Sequence, residues 1–437
     1  MHQLVHLKQD NDLTMAPEGY SHIAVDLRAI SSNYKIIKNI VGPKVLCAAA
    51  VKANAYGLGM ERICRTLFTA GCKDFFVANI QEGIAWYESM VGVVEQFKDP
   101  YEIDSSLKHC ISLARIPPSS SSDCMTMESP RCYVLHGPRS PQEIALAQKY
   151  GLILVLNSRE QFNMVLKHGE HYMPIVVHVD TGINRLGMSE TEFKESIDEL
   201  KKCNLLYLMS HLASSEEHDS SQNHEQRQLL LKASRYLPKA KLCLANSGGV
   251  FLGNSYHFDM VRPGIALYGS NPVPKDRSKC HSIMHPVVTL RCKVIQRKII
   301  DQNGYVGYGA TYPVIKGTKL LIAEYGYADG LPRSLSNNGY VEVIVNSDNV
   351  CSMNRFHGIG FDGPLRRYRL PIAGKVSMDL CTIDATTLPD DIFAKVDYVE
   401  LINDHLTIDD IAKDANTVAY KILIRLGNRY GRIYYDL

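Results

Sequence analysis

LILVLNSREQFNMVLKHGEHYMPIVVHV, residues 152–179, decides the reading of this chain. It opens and closes on short, unbroken apolar runs, LILVL (152–156) and PIVVHV (174–179). Continuous apolar runs suit parallel strands buried on both faces, because neither face meets water. Between them, SREQFNMVLKHGE has helical spacing and starts on Ser with Gln three residues later, a helix-opening signature. SETEFKESIDELKKCN repeats that pattern. Outward from this unit the same rhythm recurs in VLCAAAV (45–51), FFVAN (75–79), CYVLH (132–136), LLYLMS (205–210), KLCLA (241–245) and FDMV (258–261). Eight strands alternating with helices predict an α/β fold, a (β/α)8 TIM-type barrel. An open doubly wound sheet is the competing reading, but no GxGxxG turn follows the first strand.

The texture changes near residue 284. TLRCKVIQRKII, KLLIAEYGY, YVEVIVN, RLPIAGKVSM and LCTIDA are strand-like and separated by Gly, Asn, Asp and Pro turns, which predicts a mostly β C-terminal domain. The expected division is a tail over 1–20, a barrel over 21–272 and the β domain over 273–437, with the boundary in SNPVPKDRSKC (270–280). Residues 91–130, with IPPSSSSDCMTMESP, read as a polar insertion, and 348–366 as a shorter one. Met15 is a possible alternative start.

The 437 residues carry a net charge of +2, which gives no basic field for nucleic acid or anionic membrane. The N-terminus lacks the apolar core of a secretory signal, and no run is long enough to span a bilayer. Twelve cysteines are scattered without a CxxC pair, and most sit inside apolar runs. A reduced, cytoplasmic protein is the expectation.

The chemistry is expected where strands end, since barrel active sites form at the C-terminal ends of the strands. Lys52 follows the first strand, His211 ends the sixth, Ser247 follows the seventh and Arg262 ends the eighth. Small apolar neighbours in AAAVKANAYGLG favour a neutral amine at Lys52, able to attack a carbonyl. The glycine-bearing turns ANSGG (245–249) and RPGIALYG (262–269) occupy the usual phosphate position of such barrels. Together these point to a phosphorylated aldehyde cofactor.

From about residue 21 onward the chain resembles the alanine racemases, fold-type III pyridoxal-phosphate enzymes. The resemblance is carried by AVKANAYGLG, HVDTGINRLGM, SHLASSEE, ANSGG, DMVRPGIALYG, GYGATY, GYADGLPR and GKVSMDLCTID, in family order. It implies an isomerase that interconverts L- and D-alanine for D-alanine biosynthesis (a peptidoglycan precursor), as a homodimer with shared active sites. It implies pyridoxal 5'-phosphate held covalently by Lys52, with Lys52 and Tyr308 as the two catalytic bases and Tyr308 reaching in from the second subunit. It further implies His211 between Tyr308 and Arg262, and Arg262 donating to the pyridine nitrogen. Tyr56, Asn246, Ser247, Gly264 and Ile265 would hold the cofactor at its phosphate end. Arg185 would sit at the cofactor's phenolic oxygen and beside the substrate. Met378 would bind the substrate carboxylate through its backbone N–H, and Tyr327 would line the mouth of the site. No metal is implied.

The physical logic of racemisation agrees, since it needs one proton-transfer group on each face of a planar carbon. A phenol, with an ordinary pKa of about 10, needs nearby cations to become a base. Arginine cannot accept the pyridine proton, which limits electron withdrawal and disfavours transamination or decarboxylation.

Four positions depart from the family pattern. His178 stands where members often have a carbamylated lysine or asparagine, and is read as a packed barrel residue. Ser377 replaces a frequent cysteine. Asn428 or Tyr430 falls where some members place a phosphate-binding tyrosine. The 91–130 insertion has no counterpart. A racemase of broader specificity, accepting serine for example, is the alternative enzyme. A non-catalytic pyridoxal-phosphate carrier is disfavoured because the β domain supplies Tyr308 and Met378.

Overall fold

The computed structural model describes residues 20–96, 129–170, 172–272, 283–345 and 365–436. Most of the expected tail, the core of the 91–130 insertion, most of the 270–280 boundary and nearly all of the 348–366 insertion lie outside the described residues. The chain divides into two units, Ala29–Val287 with Ala419–Ile424, and Met1–Arg28 with Val288–Val418 and Arg425–Leu437.

The first unit is the barrel. Its strands are Leu46–Cys47 and Ala49–Ala50, then Asp74–Val77, Arg131–Val134, Leu152–Leu156, Ile175–His178, Leu205–Met209, Lys241–Cys243 and Met260–Val261, each parallel to its neighbour. The first two pieces are one strand interrupted at Ala48. Leu46–Cys47 pairs with Met260–Val261, Ala49–Ala50 pairs with Asp74–Val77, and the sheet thereby closes on itself. Every residue of Leu152–Leu156 and of Ile175–His178 is buried, as unbroken apolar runs require. Helix Arg159–His168 starts at Ser158, whose Oγ accepts from Gln161 N–H at 3.2 Å. Helix Glu190–Leu200 starts in a full capping box between Ser189 and Glu192.

Opposite the strand ends that carry the chemistry, the barrel floor is locked by an ion pair. Arg131 donates to both Asp74 oxygens at 2.7 and 3.0 Å, and the Tyr133 hydroxyl donates to Asp74 at 2.9 Å. The Asp74 side chain is 2% exposed and that of Arg131 40%. Asp74→Leu strands a guanidinium and a buried hydroxyl. Arg131 keeps partial access to water, so the expected loss is roughly 2–3 kcal/mol, below the range for a wholly buried pair. Urea unfolding measures it, and turnover of the folded fraction should be unchanged.

The second unit is mostly β. Strand Val288–Ile299 organises it. Its first half pairs with His22–Asp26 and Tyr398–Ile402. After a register shift between Val294 and Gln296, its second half pairs with Lys319–Ala323, which in turn pairs with Cys381–Asp384. Such a bulge bends a strand and lets one segment serve two sheets. Strands Tyr340–Val345 and Arg366–Pro371 extend the larger sheet, and Gly304–Val306 with Tyr312–Val314 forms a separate hairpin.

Two stretches fall on the other side of the expected domain boundaries. His22–Asp26, expected at the start of the barrel, pairs antiparallel with Val288–Ile299 and parallel with Arg432–Tyr435 in the β unit. Its four-residue buried run is satisfied by partners more than 250 residues away, which local pattern does not reveal. Conversely, helix Ala419–Ile424, expected in the β domain, groups with the barrel. There Leu423 O would meet a Cβ at Gly57, and Tyr420 lies 6.0 Å from Tyr56. The eight described cysteines carry free thiols, all buried except Cys203, which is half-buried. No described helix is long and apolar enough to cross a membrane.

Candidate active site

Lys52 leaves the first barrel strand directly into a left-handed turn. Ala53, Asn54, Ala55 and Tyr56 all have φ between 52° and 56°. Left-handed backbone costs a non-glycine residue roughly 1–2 kcal/mol, so the turn persists only because its surroundings hold it. Glu82 accepts from Ala53 N–H and Ala78 N–H, both at 2.8 Å, and Asn54 Oδ1 accepts from Met60 N–H at 2.8 Å. The turn brings Tyr56 back over the barrel, stacked on Tyr268 at 4.4 Å. The Tyr56 hydroxyl sits where a Cβ on Gly264 would be, so only glycine fits there.

The loops after the last two strands are tied together by Ser247. Its Oγ accepts from Gly264 N–H at 2.8 Å and from Ala266 N–H at 3.2 Å, beside Ile265. Asn246 works on its own loop. Its Oδ1 caps Gly249 N–H at 3.0 Å, and its Nδ2 reaches Leu212 O.

Arg262, 6% exposed, has no carboxylate among its hydrogen-bond partners. It donates to Ser210 O at 2.7 Å and to His211 Nδ1 at 3.1 Å. Because Nδ1 accepts, the neutral His211 ring carries its proton on Nε2. Burial first, then Arg262 and Arg185, hold the His211 pKa well below the ordinary imidazole value. Lys52 is lowered by the same agents, burial leading and Arg185 and Arg262 adding, with Glu82 opposing. Arg185 is carried by the loop after strand Ile175–His178. Asp180 Oδ1 orders that loop by accepting from Gly182, Ile183 and Asn184 N–H.

His178 ends that strand, buried, with Nδ1 2.9 Å from Asn157 Oδ1. Burial, then Arg262, lowers its pKa to about 3. The unfolded chain takes up this proton near 6.5 and the folded chain does not until about 3, so stability falls as pH drops through that window. Urea unfolding of the wild type and of His178→Gln at pH 7 and pH 5 should show a smaller acid loss in the variant.

A second group lies in the β unit. Tyr308 stands on a turn whose neighbours Gly307, Gly309 and Ala310 have φ of 72°, 74° and 50°, and it is 69% exposed. The loops holding Tyr327 and Met378 are joined by Tyr327 N–H to Ser377 O at 3.0 Å and Ala328 N–H to Met378 O at 2.9 Å. Asp379, next to Met378, is held by Arg429 at 2.7 Å. Asn428 Oδ1 accepts from Arg432, and Tyr430 is buried against Tyr325 at 5.7 Å.

Lys52, Tyr56, Arg185, His211, Ser247, Arg262, Gly264 and Ile265 thus all fall on the barrel's strand-end loops, and Tyr308, Tyr327 and Met378 in the β unit. Glu82 and Asn157 were not foreseen. Asn157 directly follows Leu156, the same strand-end signal that marked Lys52. Glu82 had only its place in the first turn of a helix.

Two guanidiniums, Arg185 and Arg262, act on the Lys52 amine against Glu82 and favour an anionic ligand. A phosphorylated aldehyde fits them. Lys52 can bond the carbonyl, Tyr56 and the Ser247–Gly264 loop can receive the phosphate, and Arg185 and Arg262 can donate to the ring.

Barrel and site define an enzyme built around a half-buried amine at the strand ends, in a chain that also carries a β domain. The chain belongs to the alanine racemase family. The family's N-terminal domain profile matches residues 25–272 and its C-terminal domain profile matches 287–434. An alanine racemase of Brucella canis is 36% identical over 94% of this chain and 93% of its own length. A catabolic alanine racemase of Rhizobium johnstonii is 35% identical over 96% of each. The crystal structure of Bartonella henselae alanine racemase, which has covalently bound pyridoxal phosphate, is 33% identical. It superposes with a TM-score of 0.73 over 95% of this chain and 99% of that one.

Proposed function

We propose that this chain interconverts L- and D-alanine with pyridoxal 5'-phosphate, held covalently by Lys52. The observation that carries this reading is the convergence of Lys52 with Arg185 and Arg262: desolvation first, then repulsion from the two guanidiniums, favours the neutral amine. When bound, the cofactor supplies an electron sink that makes the substrate Cα–H acidic. Lys52 Nζ takes or returns that proton on one face. The Tyr308 hydroxyl, supplied by a second copy of the chain, does so on the other, with His211 donating Nε2–H toward the phenol. Arg262 holds the pyridine nitrogen as a donor, which limits the sink and keeps the reaction at proton transfer. Arg185 steadies the phenolic oxygen, and the Met378 backbone N–H takes the substrate carboxylate.

A homodimer is the assembly this requires. Exposed Tyr305, Tyr308 and Ile315 at 67%, 69% and 67% support it, since apolar side chains gathered at a hairpin favour coverage by a partner. Chiral analysis of the product from L-alanine and added cofactor tests the activity. The expected result is drift to an equal mixture of enantiomers. Net formation of pyruvate or of a decarboxylated amine instead would sink the reading.

A further inference from the structure

His211 lies just past the end of strand Leu205–Met209, after Ser210 N–H has donated to Cys243 O at 3.0 Å. A side chain takes over from the sheet there. Gln226, fully buried on helix Ser221–Ser234, donates Nε2–H to His211 O at 2.8 Å and accepts Ala213 N–H on Oε1 at 2.9 Å. A backbone carbonyl can only accept and a backbone N–H can only donate, so this pairing fixes which end of the amide is which. Donating to one residue and accepting from the second one after it is the bonding of a parallel neighbour strand. One amide thus extends the ladder to the residue that carries the imidazole. Its other Nε2–H goes to Thr181 Oγ1 at 3.3 Å. Ser210 Oγ donates to Val179 O at 2.8 Å, so Thr181 must donate the 2.6 Å bond between the two hydroxyls. The whole buried chain therefore points one way, from Gln226 through Thr181 and Ser210 to Val179. Arg262 meets the same segment from the ring side, donating to Ser210 O and to His211 Nδ1. Helix docking does not depend on this amide. Gln222 Nε2 donates to Gly182 O at 3.2 Å, and Asn223 Nδ2 donates to Ser214 O at 3.0 Å and Glu217 O at 2.9 Å.

We propose that Gln226 is a positioning residue for proton transfer, whose amide fixes the His211 backbone so that the ring stays on Arg262 with its proton on Nε2. His211 is then held at both ends, its carbonyl by Gln226 and its Nδ1 by Arg262. None of the three Gln226 bonds reaches the Lys52 turn, so the amide serves the phenol's side of the reaction and not the amine's. The inference rests on the reading of Tyr308 as the second base with His211 as its donor.

The experiment loads the full-length chain with pyridoxal phosphate and follows Cα deuterium exchange from each alanine enantiomer separately. In Gln226→Met, exchange from the enantiomer that depends on Tyr308 should fall about tenfold, the weight of one hydrogen bond, while exchange through Lys52 stays within about twofold. Gln226→Glu keeps the acceptor for Ala213 N–H but donates to His211 O only while its carboxyl is protonated. Its phenol-side exchange, relative to wild type at the same pH, should therefore recover as pH falls. Equal losses from both enantiomers, or an unchanged ratio of the two exchange rates in Gln226→Met, would overturn the proposal. A second readout needs no turnover. Nitrogen NMR of the histidine-labelled apo chain should show His211 as a single Nε2–H tautomer in wild type and as mixed tautomers in Gln226→Met. Identical His211 signals in the two would also overturn it. Failure of the underlying reading looks different: Tyr308→Phe would then leave exchange from both enantiomers untouched, whatever the His211 signals do.

Discussion

Lys52→Ala is expected to lose turnover by at least ~10³-fold, because it removes both the covalent anchor and one of two proton carriers. The effect follows from where the amine sits. Burial, Arg185 and Arg262 all disfavour its ammonium form, with only Glu82 opposing. A lysine in water would be almost wholly charged at neutral pH and unable to attack a carbonyl. Lys52→Arg should be as inactive, since it restores charge but no nucleophile. Borohydride reduction of the loaded wild type followed by peptide mapping should label Lys52 alone. Retention of racemisation by Lys52→Ala at more than a few per cent would mean that another group holds the cofactor.

Tyr308→Phe should lower racemisation by on the order of 10²–10⁴-fold, the usual worth of a positioned proton-transfer group. The two enantiomers have equal free energies in water, so kcat/KM must fall equally in both directions. The asymmetry appears elsewhere. With one enantiomer, Lys52 alone can still exchange the Cα proton with solvent; with the other, exchange should collapse along with racemisation. Deuterium incorporation into recovered substrate reads this directly. Equal exchange from both enantiomers would argue against a dedicated phenolic base. Mixing Lys52→Ala and Tyr308→Phe subunits tests the shared site, because a heterodimer can assemble one intact Lys52–Tyr308 pair. Activity well above that of either parent is expected, and no recovery would count against a phenol supplied by a second copy.

The strand ends were readable because their physics is local. LILVL and PIVVHV are unbroken apolar runs, which only a sheet covered on both faces can bury, and a charged or polar residue directly after such a run is costly without a purpose. That logic picked out Lys52, His211, Ser247 and Arg262. It would also have picked out Asn157, had an uncharged amide been given the same weight. Glu82 was not legible. Its carboxylate works on the backbone of a left-handed turn that the residues Ala-Asn-Ala-Tyr do not advertise, since Ala and Tyr avoid that conformation unless they are held there.

By itself, then, the sequence determined the alternation of strand and helix, the change to β texture, and the residue types waiting at the strand ends, all set by neighbours a few positions apart. Only the tertiary structure decided that His22–Asp26 joins the β sheet, that Ala419–Ile424 joins the barrel, and that His178 ends with one nitrogen spent on Asn157 and the other unpartnered. The reason is the same in each case. A strand's partners and a buried ring's proton are settled by groups distant in the chain, and no local pattern records which of them arrive.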